Sequence, residues 1–437
     1  MDTSTLAFLR LSNPWLDRPE LGGEFIARHL PPRILPRLRV GEDWPVPGKA
    51  HLLIGARQVG KSTFLWDLFR RLRRAPLLLN AEEPSVRAAC RSAVALAADL
   101  GALLAPEVPV LLEEAQHLEE AGLLIKGLTD LALPNPIFVT GSSSYHLRAR
   151  TRESLAGRAV RAQLHPFSFA ELAGDLSAEP PLLRASHLRE RCLRQAVVGG
   201  YPEAWLSEHP ADVLLRLREA FILRDASDLQ RVRNLDAFRR LLRLAATQVG
   251  SLVNLAEWAA ITGVSRPTVA AHLDILEECH LVRRVPPFAG GKRAELTHDP
   301  KVYFCDNGLL CSVLGRTERF EERTDRGPLL ENLVGAELLK HLDPLGPLDA
   351  LRFWRSKAGA EVDFVLERPD GLVGVEVKAS EAPRRALSRS SRSFLEAYRP
   401  ARFYVVGLGA EGQERVGGCE IRWVGPERVG EICVGSG

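Results

Sequence analysis

Short, mostly apolar runs alternate with longer amphipathic stretches through the first third of the chain. His51 to Ile54, "LLLN" (77–80), "VLLEE" (110–114) and "IFVTGSSS" (137–144) are the runs, and Phe64 to Leu72 is the first amphipathic stretch. A run apolar at nearly every position suits a strand covered on both faces, and strands spaced by helix-compatible segments predict a parallel α/β sheet. Farther along, the period changes. "LVNLAEWAAITGVSRPTVAAHLDILEECHLVRRV" (252–285) reads as two helices broken at Gly263, with Ser265 near the second cap and Pro267 in its first turn, where no N–H is needed. Val269, Leu273 and Leu276 form an inward face, which leaves Ser265, Arg266, Thr268 and His272 outward. Beyond residue 326, "GPLLENLVGAELLKHL" predicts a helix, and "LRFWRS", "AEVDFVLE" and "VGVEVKA" predict three strands rich in β-branched and aromatic residues.

Between the first apolar run and the first amphipathic stretch lies "GARQVGKST", residues 55–63. This is strand, glycine loop, helix, the context in which the motif binds a nucleoside triphosphate. Gly55 and Gly60 let the loop curl so that the N–H groups of Gln58, Val59, Gly60, Lys61, Ser62 and Thr63 face phosphates. Lys61 would neutralise the β and γ oxygens, and the Ser62 hydroxyl would ligate magnesium, so the implied cofactors are ATP and Mg2+. At the end of the third run, Glu113 stands where P-loop ATPases usually place a metal-holding Asp, and Glu114 where they place the residue that polarises the attacking water. The extra methylene of Glu113 is expected to be absorbed by a water-mediated contact with magnesium. Ser142 to Ser144 are candidates for sensing the γ-phosphate, and Arg158 for an arginine finger or phosphate sensor.

The helix pair is the pattern of a winged helix-turn-helix, whose second helix enters the major groove of DNA. Arg266, Thr268 and His272 would face the groove, and Arg283 and Arg284, opening the wing, would meet phosphates. Such phosphate contacts give salt-dependent affinity without sequence choice. In the last third, Glu376 and Lys378 fall on one face of a strand by its period of two, with Asp363 on the strand before. Helix, strand, strand, strand with Asp363, Glu376 and Lys378 resembles the PD-(D/E)xK nuclease fold. In that chemistry Asp363 and Glu376 hold one or two magnesium ions, Lys378 steadies the nucleophile or the developing charge, and Glu331 or Glu337 completes the metal shell. Alternating carboxylates and lysine also occur as plain solvated cross-strand pairs.

Composition narrows this little. A length of 437 residues allows two to four domains, and 46% hydrophobic with 26% charged residues is ordinary for a globular protein. A net charge of +3 does not by itself point to nucleic acid. No apolar stretch reaches the length of a bilayer span and no signal peptide is evident, so no membrane partner and a cytoplasmic location are expected. Seven scattered cysteines indicate neither a disulfide framework nor a zinc site. Only eight of the 58 Lys and Arg residues are lysines, and two of them, Lys61 and Lys378, fall in motifs that need a compact ammonium.

Together, "GARQVGKST", "LLEEAQ", "TGSSS", "ESLAGR", "HPFSFAEL", "VVGGYPEAW" and "ILRD" resemble the prokaryotic AAA-family ATPases that carry a C-terminal domain of unknown function, over roughly residues 45 to 410. The resemblance implies an AAA-type core at 1–170, a helical lid at 171–235 with Pro202 against the adenine, a winged helix-turn-helix at 236–300 and an α/β restriction-endonuclease-like domain at 301–437. It also implies a homo-oligomeric ring, a hexamer among the forms, in which an arginine of one subunit completes the site of the next. The function expected is an ATPase that remodels or moves along DNA, with branched repair or recombination intermediates as one substrate. Two alternatives stand beside it: an ATP-regulated protein-interaction switch with a catalytically silent nuclease-like domain, and an ATP-gated, magnesium-dependent endonuclease.

Overall fold

A computed structural model describes the chain apart from residues 39, 142–154, 223–231, 233, 291–298, 343–350, 369, 382–385 and 434–437. It divides into two compact units, Met1–His165 and Pro166–Gly437. Among the described residues no helix is long and apolar enough to cross a membrane.

The first unit is built on five parallel strands, β1 (Ala50–Ile54), β2 (Leu77–Asn80), β3 (Val110–Glu113), β4 (Ile137–Gly141) and β5 (Ala159–Gln163), in the order β2-β3-β4-β1-β5. β1 and β4 are buried at every position, as suits their largely apolar runs. The one imidazole in β1 fits because His51 accepts the Val46 N–H at 2.7 Å and stacks on Phe138, and burial lowers its pKa and keeps it neutral. At the sheet's edge, the buried Asn13 side chain accepts the Leu78 N–H at 2.7 Å and donates to the Leu78 carbonyl at 3.1 Å, so a side-chain amide closes β2.

The second unit holds two sheets. β6 (Val282–Val285) and β7 (Lys301–Phe304) form an antiparallel ribbon. β8 (Leu351–Arg355), β9 (Glu361–Arg368), β10 (Gly371–Lys378), β11 (Arg402–Gly407), β12 (Gly412–Val416) and β13 (Cys419–Val424) form a mixed sheet ordered β12-β13-β11-β10-β9-β8. β8, β9 and β10 are the three strands expected from the sequence; they pair antiparallel, and β11 and β13 continue in parallel from β10.

Ahead of the ribbon lie the two helices of the helix-turn-helix pattern, Leu255–Thr262 and Arg266–Glu278. Gly263 ends the first at φ 72°, and the Ser265 hydroxyl accepts the Thr268 N–H of the second at 3.3 Å. Val269, Leu273 and Leu276 are buried, but so is His272, at 3% exposure and edge-on to Phe238. His272 lies three residues from Val269 and four from Leu276, which places it on the apolar face whatever its polarity. The outward placement expected for it is therefore corrected.

Candidate nucleotide site and a buried carboxylate cluster

The loop from Gly55 to Gly60 leaves the carboxyl end of β1 and runs directly into α1 (Lys61–Leu72). Gln58 (φ 60°) and Gly60 (φ 93°) both adopt left-handed backbone, the second at a position that favours glycine. Val59 is fully buried, and its carbonyl accepts from Arg37, which also donates to the His165 carbonyl at 3.0 Å. Arg37 thus braces the loop from outside the motif. Lys61, 6% exposed, donates to the carbonyls of Gly55 at 2.9 Å and Ala56 at 2.8 Å, across the loop. Ser62 and Thr63 follow in the first turn of α1, where free N–H groups and the helix dipole favour an anion.

The Ser62 hydroxyl donates to Glu113 at 2.8 Å. Burial raises the Glu113 pKa, against the Ser62 hydrogen bond and with the neighbouring Glu114 charge. Glu114 itself sits at φ 54°; its N–H donates to Thr140 on β4 at 3.2 Å, and its carboxylate accepts from the Gln116 amide. Thr140 and Gln116 hold the residue proposed to orient water, a role the sequence reading missed. Ser142 to Ser144 lie outside the described residues.

Arg158 is placed elsewhere. Its carbonyl accepts the N–H of Ala50, the first residue of β1, so it lies at the opposite end of the sheet from the glycine loop, about 13 Å away at strand rise. Its guanidinium pairs with Asp130. A phosphate-sensing role for Arg158 within its own site is thereby corrected; only a site in another subunit remains open to it. Pro202 opens a short helix, Pro202–Leu206, in the second unit.

Gly199 and Gly200 in that unit have a structural task. The Asp306 carboxylate accepts the Gly200 N–H at 2.7 Å and the Leu309 N–H at 3.1 Å, and a Cβ on Gly200 would meet the Phe167 carbonyl. Glu337, expected as a possible metal ligand, is instead buried in α7 (Arg326–His341 in a count that takes α2 as Pro181–Val198, α3 as Leu235–Thr247, α4 and α5 as the helix-turn-helix pair, and α6 as Asn307–Leu314). It accepts from the Phe169 N–H and Gln195 at 2.9 Å each and from Lys340 at 2.8 Å. Burial would raise its pKa, but Lys340 and His341 outweigh burial and bring it down to about 2.

The expected nuclease-type residues converge on the mixed sheet. Asp363 on β9 accepts the Val377 N–H at 2.7 Å. Burial, followed by the Glu331 carboxylate, pushes the Asp363 pKa up to about 7, against Lys301. Glu376 pairs with Lys378 at 2.5 Å, as their shared face predicts, and accepts from Ser388 at 3.2 Å and from Ser391. Missed from the sequence was Lys301, 2% exposed on β7, whose ammonium lies 3.3 Å from Glu331 and 2.5 Å from Glu361. Tyr303, two residues on and on the same strand face, donates to Glu331 at 2.6 Å. Among the described residues, no group of three or more His, Cys, Asp or Glu side chains is gathered so as to hold a metal ion.

The outer face expected for DNA is largely occupied. Arg284 donates to Glu277 and to Asp274, each at 2.6 Å, and Arg283 lies 3.8 Å from Glu277. Thr268 bonds the Ser265 hydroxyl at 2.8 Å. Of the expected contact residues, Arg266 is exposed. The others are buried or drawn into neighbouring side chains.

Residues 47–173 match the AAA domain family model. This part of the chain is similar to AAA domains. Residues 189–319 and 326–424 match two domains of unknown function, DUF8612 and DUF4143. An uncharacterized protein of Mycobacterium tuberculosis is 28% identical over 365 residues, covering 82% of this chain and 76% of its own. An uncharacterized protein of Methanocaldococcus jannaschii is 20% identical over 335 residues, covering 74% and 73%. Among solved structures, the Thermotoga maritima RuvB Holliday junction branch migration motor is 17% identical, covers 61% of this chain and 89% of its own, and has a TM-score of 0.28. A Drosophila ORC structure bound to AT-rich DNA and Cdc6 is 12% identical, covers 72% and 94%, and has a TM-score of 0.21.

Proposed function

We propose that the chain hydrolyses ATP at the glycine loop and uses the cycle as a switch that acts on a protein partner. The observation that carries the hydrolytic part is the meeting of Ser62 and Glu113 at 2.8 Å beside the buried Lys61. The N–H groups of the loop and of the first turn of α1 bind the phosphates, and Lys61 exchanges two neutral carbonyls for phosphate oxygens. Ser62 and Glu113 fit magnesium, which when bound with nucleotide supplies neutralisation of the phosphate charge. Glu114, held by Thr140 and Gln116, orients the attacking water. Colorimetric phosphate release with magnesium and ATP tests this: no turnover above the Lys61→Ala background rejects it.

The exposed side of α5 (Arg266–Glu278) offers Arg266 but also Asp274, and Glu277 draws in both arginines of β6. A face so balanced offers little to a phosphate backbone, whose binding depends on uncompensated Lys and Arg. The second reading, an ATPase that remodels or moves along DNA, including branched intermediates, as a ring of identical subunits, is supported by the helix pair followed by an antiparallel ribbon, the arrangement of a winged helix. ATPase rates at low salt with linear, single-stranded and four-way DNA separate the two. The switch predicts an unchanged rate, and stimulation by any of the three favours the DNA reading.

A further inference from the structure

A nuclease-type centre at β9 and β10 needs a divalent cation between Asp363 and Glu376, with a helix carboxylate such as Glu331 completing its shell. The donor set does not fit one. Glu331 shares a single oxygen between Tyr303 and Lys301, at 2.6 and 3.3 Å. Glu361 holds the same ammonium at 2.5 Å. Glu376 has Lys378 on one oxygen and the Ser388 and Ser391 hydroxyls on the other. Asp363 spends one oxygen on the Val377 N–H. Each carboxylate that would serve as a ligand is already turned toward a donor of the protein.

Lys301 is the group that sets this arrangement. It is 2% exposed, arrives on β7 from outside the mixed sheet, and lies with its ammonium 5.5 Å from the centre of the Phe353 ring. Burying an ammonium is costly unless it is paired, and Glu331 and Glu361 pair this one. We propose that the Lys301 ammonium is the resident cation of the Glu331–Glu361–Asp363 cluster, in the place of a divalent ion, so that the sheet cuts no phosphodiester and serves as a scaffold. The proposal deepens the switch reading, on which it rests for the sheet's role, but the two are tested by different measurements: metal binding here, DNA stimulation of ATPase there.

The test uses nucleotide-free full-length protein carrying Glu113→Gln, so that Mn2+ held near the glycine loop is not counted. Mn2+ is titrated and followed by the loss of its free electron paramagnetic resonance signal. No saturable site is expected, and adding Asp363→Asn should change nothing. Lys301→Met, which keeps the length of the side chain and removes its charge, should create one saturable site that Asp363→Asn abolishes. A saturable Mn2+ site in the Lys301-containing protein that disappears with Asp363→Asn overturns the proposal, as does a folded Lys301→Met protein that gains no site. If Lys301→Met fails to fold, the Asp363→Asn comparison decides alone. Magnesium-dependent nicking of supercoiled plasmid that is lost in Asp363→Asn also overturns it.

Discussion

Lys61 and Lys301 are both buried ammonium groups, 6% and 2% exposed, but their partners differ in kind. Lys61 rests on the carbonyls of Gly55 and Ala56. Lys301 rests on the carboxylates of Glu331 and Glu361. Carbonyl dipoles stabilise a cation without neutralising it, and the charge of Lys61 also acts on the nearby Glu113 carboxylate. Two carboxylates cancel the charge of Lys301 in place, and an incoming anion would have to displace them. An ammonium clasped by carboxylates already has its counterions, and an incoming ligand must compete with them.

The comparison can be broken first where charge cancellation is complete. Glu337→Ala strips Lys340 of its buried carboxylate, and a loss of about 3–5 kcal/mol is expected by chemical denaturation, the range for an ion left uncompensated. Because Glu337 falls from near 4.5 to about 2 on folding, its contribution of about 3 kcal/mol is complete above pH 4.5 and lost as pH falls toward 2. Acid unfolding of Glu337→Gln should lack that component.

Next comes the ammonium held on the loop carbonyls. Lys61→Ala should lower ATP turnover by about 10²–10³-fold, comparable to removing one preorganised donor from a transition state. Glu113→Gln should lower magnesium-dependent nucleotide affinity by about tenfold, the range for losing a charged hydrogen-bonding partner. Since burial raises the Glu113 pKa, the wild-type affinity should begin to fall at a higher pH on acidification than an exposed glutamate would give, and Glu113→Gln should flatten that profile. The smallest effect is expected of Arg266→Ala. On the switch reading it shifts polynucleotide retention at low salt by less than about twofold, whereas a phosphate-contacting arginine would reduce the salt slope by about one.

Four of the five strands of the first sheet were legible because they are mostly apolar, and the loop motif because it is local: Gly55 to Thr63 lie within nine consecutive residues. Glu376 and Lys378 were legible from the strand period, and their 2.5 Å pairing follows from it. What escaped depends on partners far apart in the chain. Lys301 finds Glu331 and Glu361, 30 and 60 residues on, and Glu337 finds Phe169, 168 residues back. No periodicity encodes such pairings. His272 is a different lesson, since its spacing from Val269 and Leu276 indicated the inward face and its polarity was allowed to override that spacing. For Lys301 a local sign existed: it alternates with Tyr303, and both turned out to serve one carboxylate.

Asn13 imitates a peptide unit at the rim of the first sheet, offering one donor and one acceptor where another strand would otherwise dock. A single side chain thereby makes the ladder terminate inside its own molecule. Replacing it with leucine would keep the bulk yet leave β2 with an open register, and the first sign of trouble would be self-association of the folded protein at high concentration.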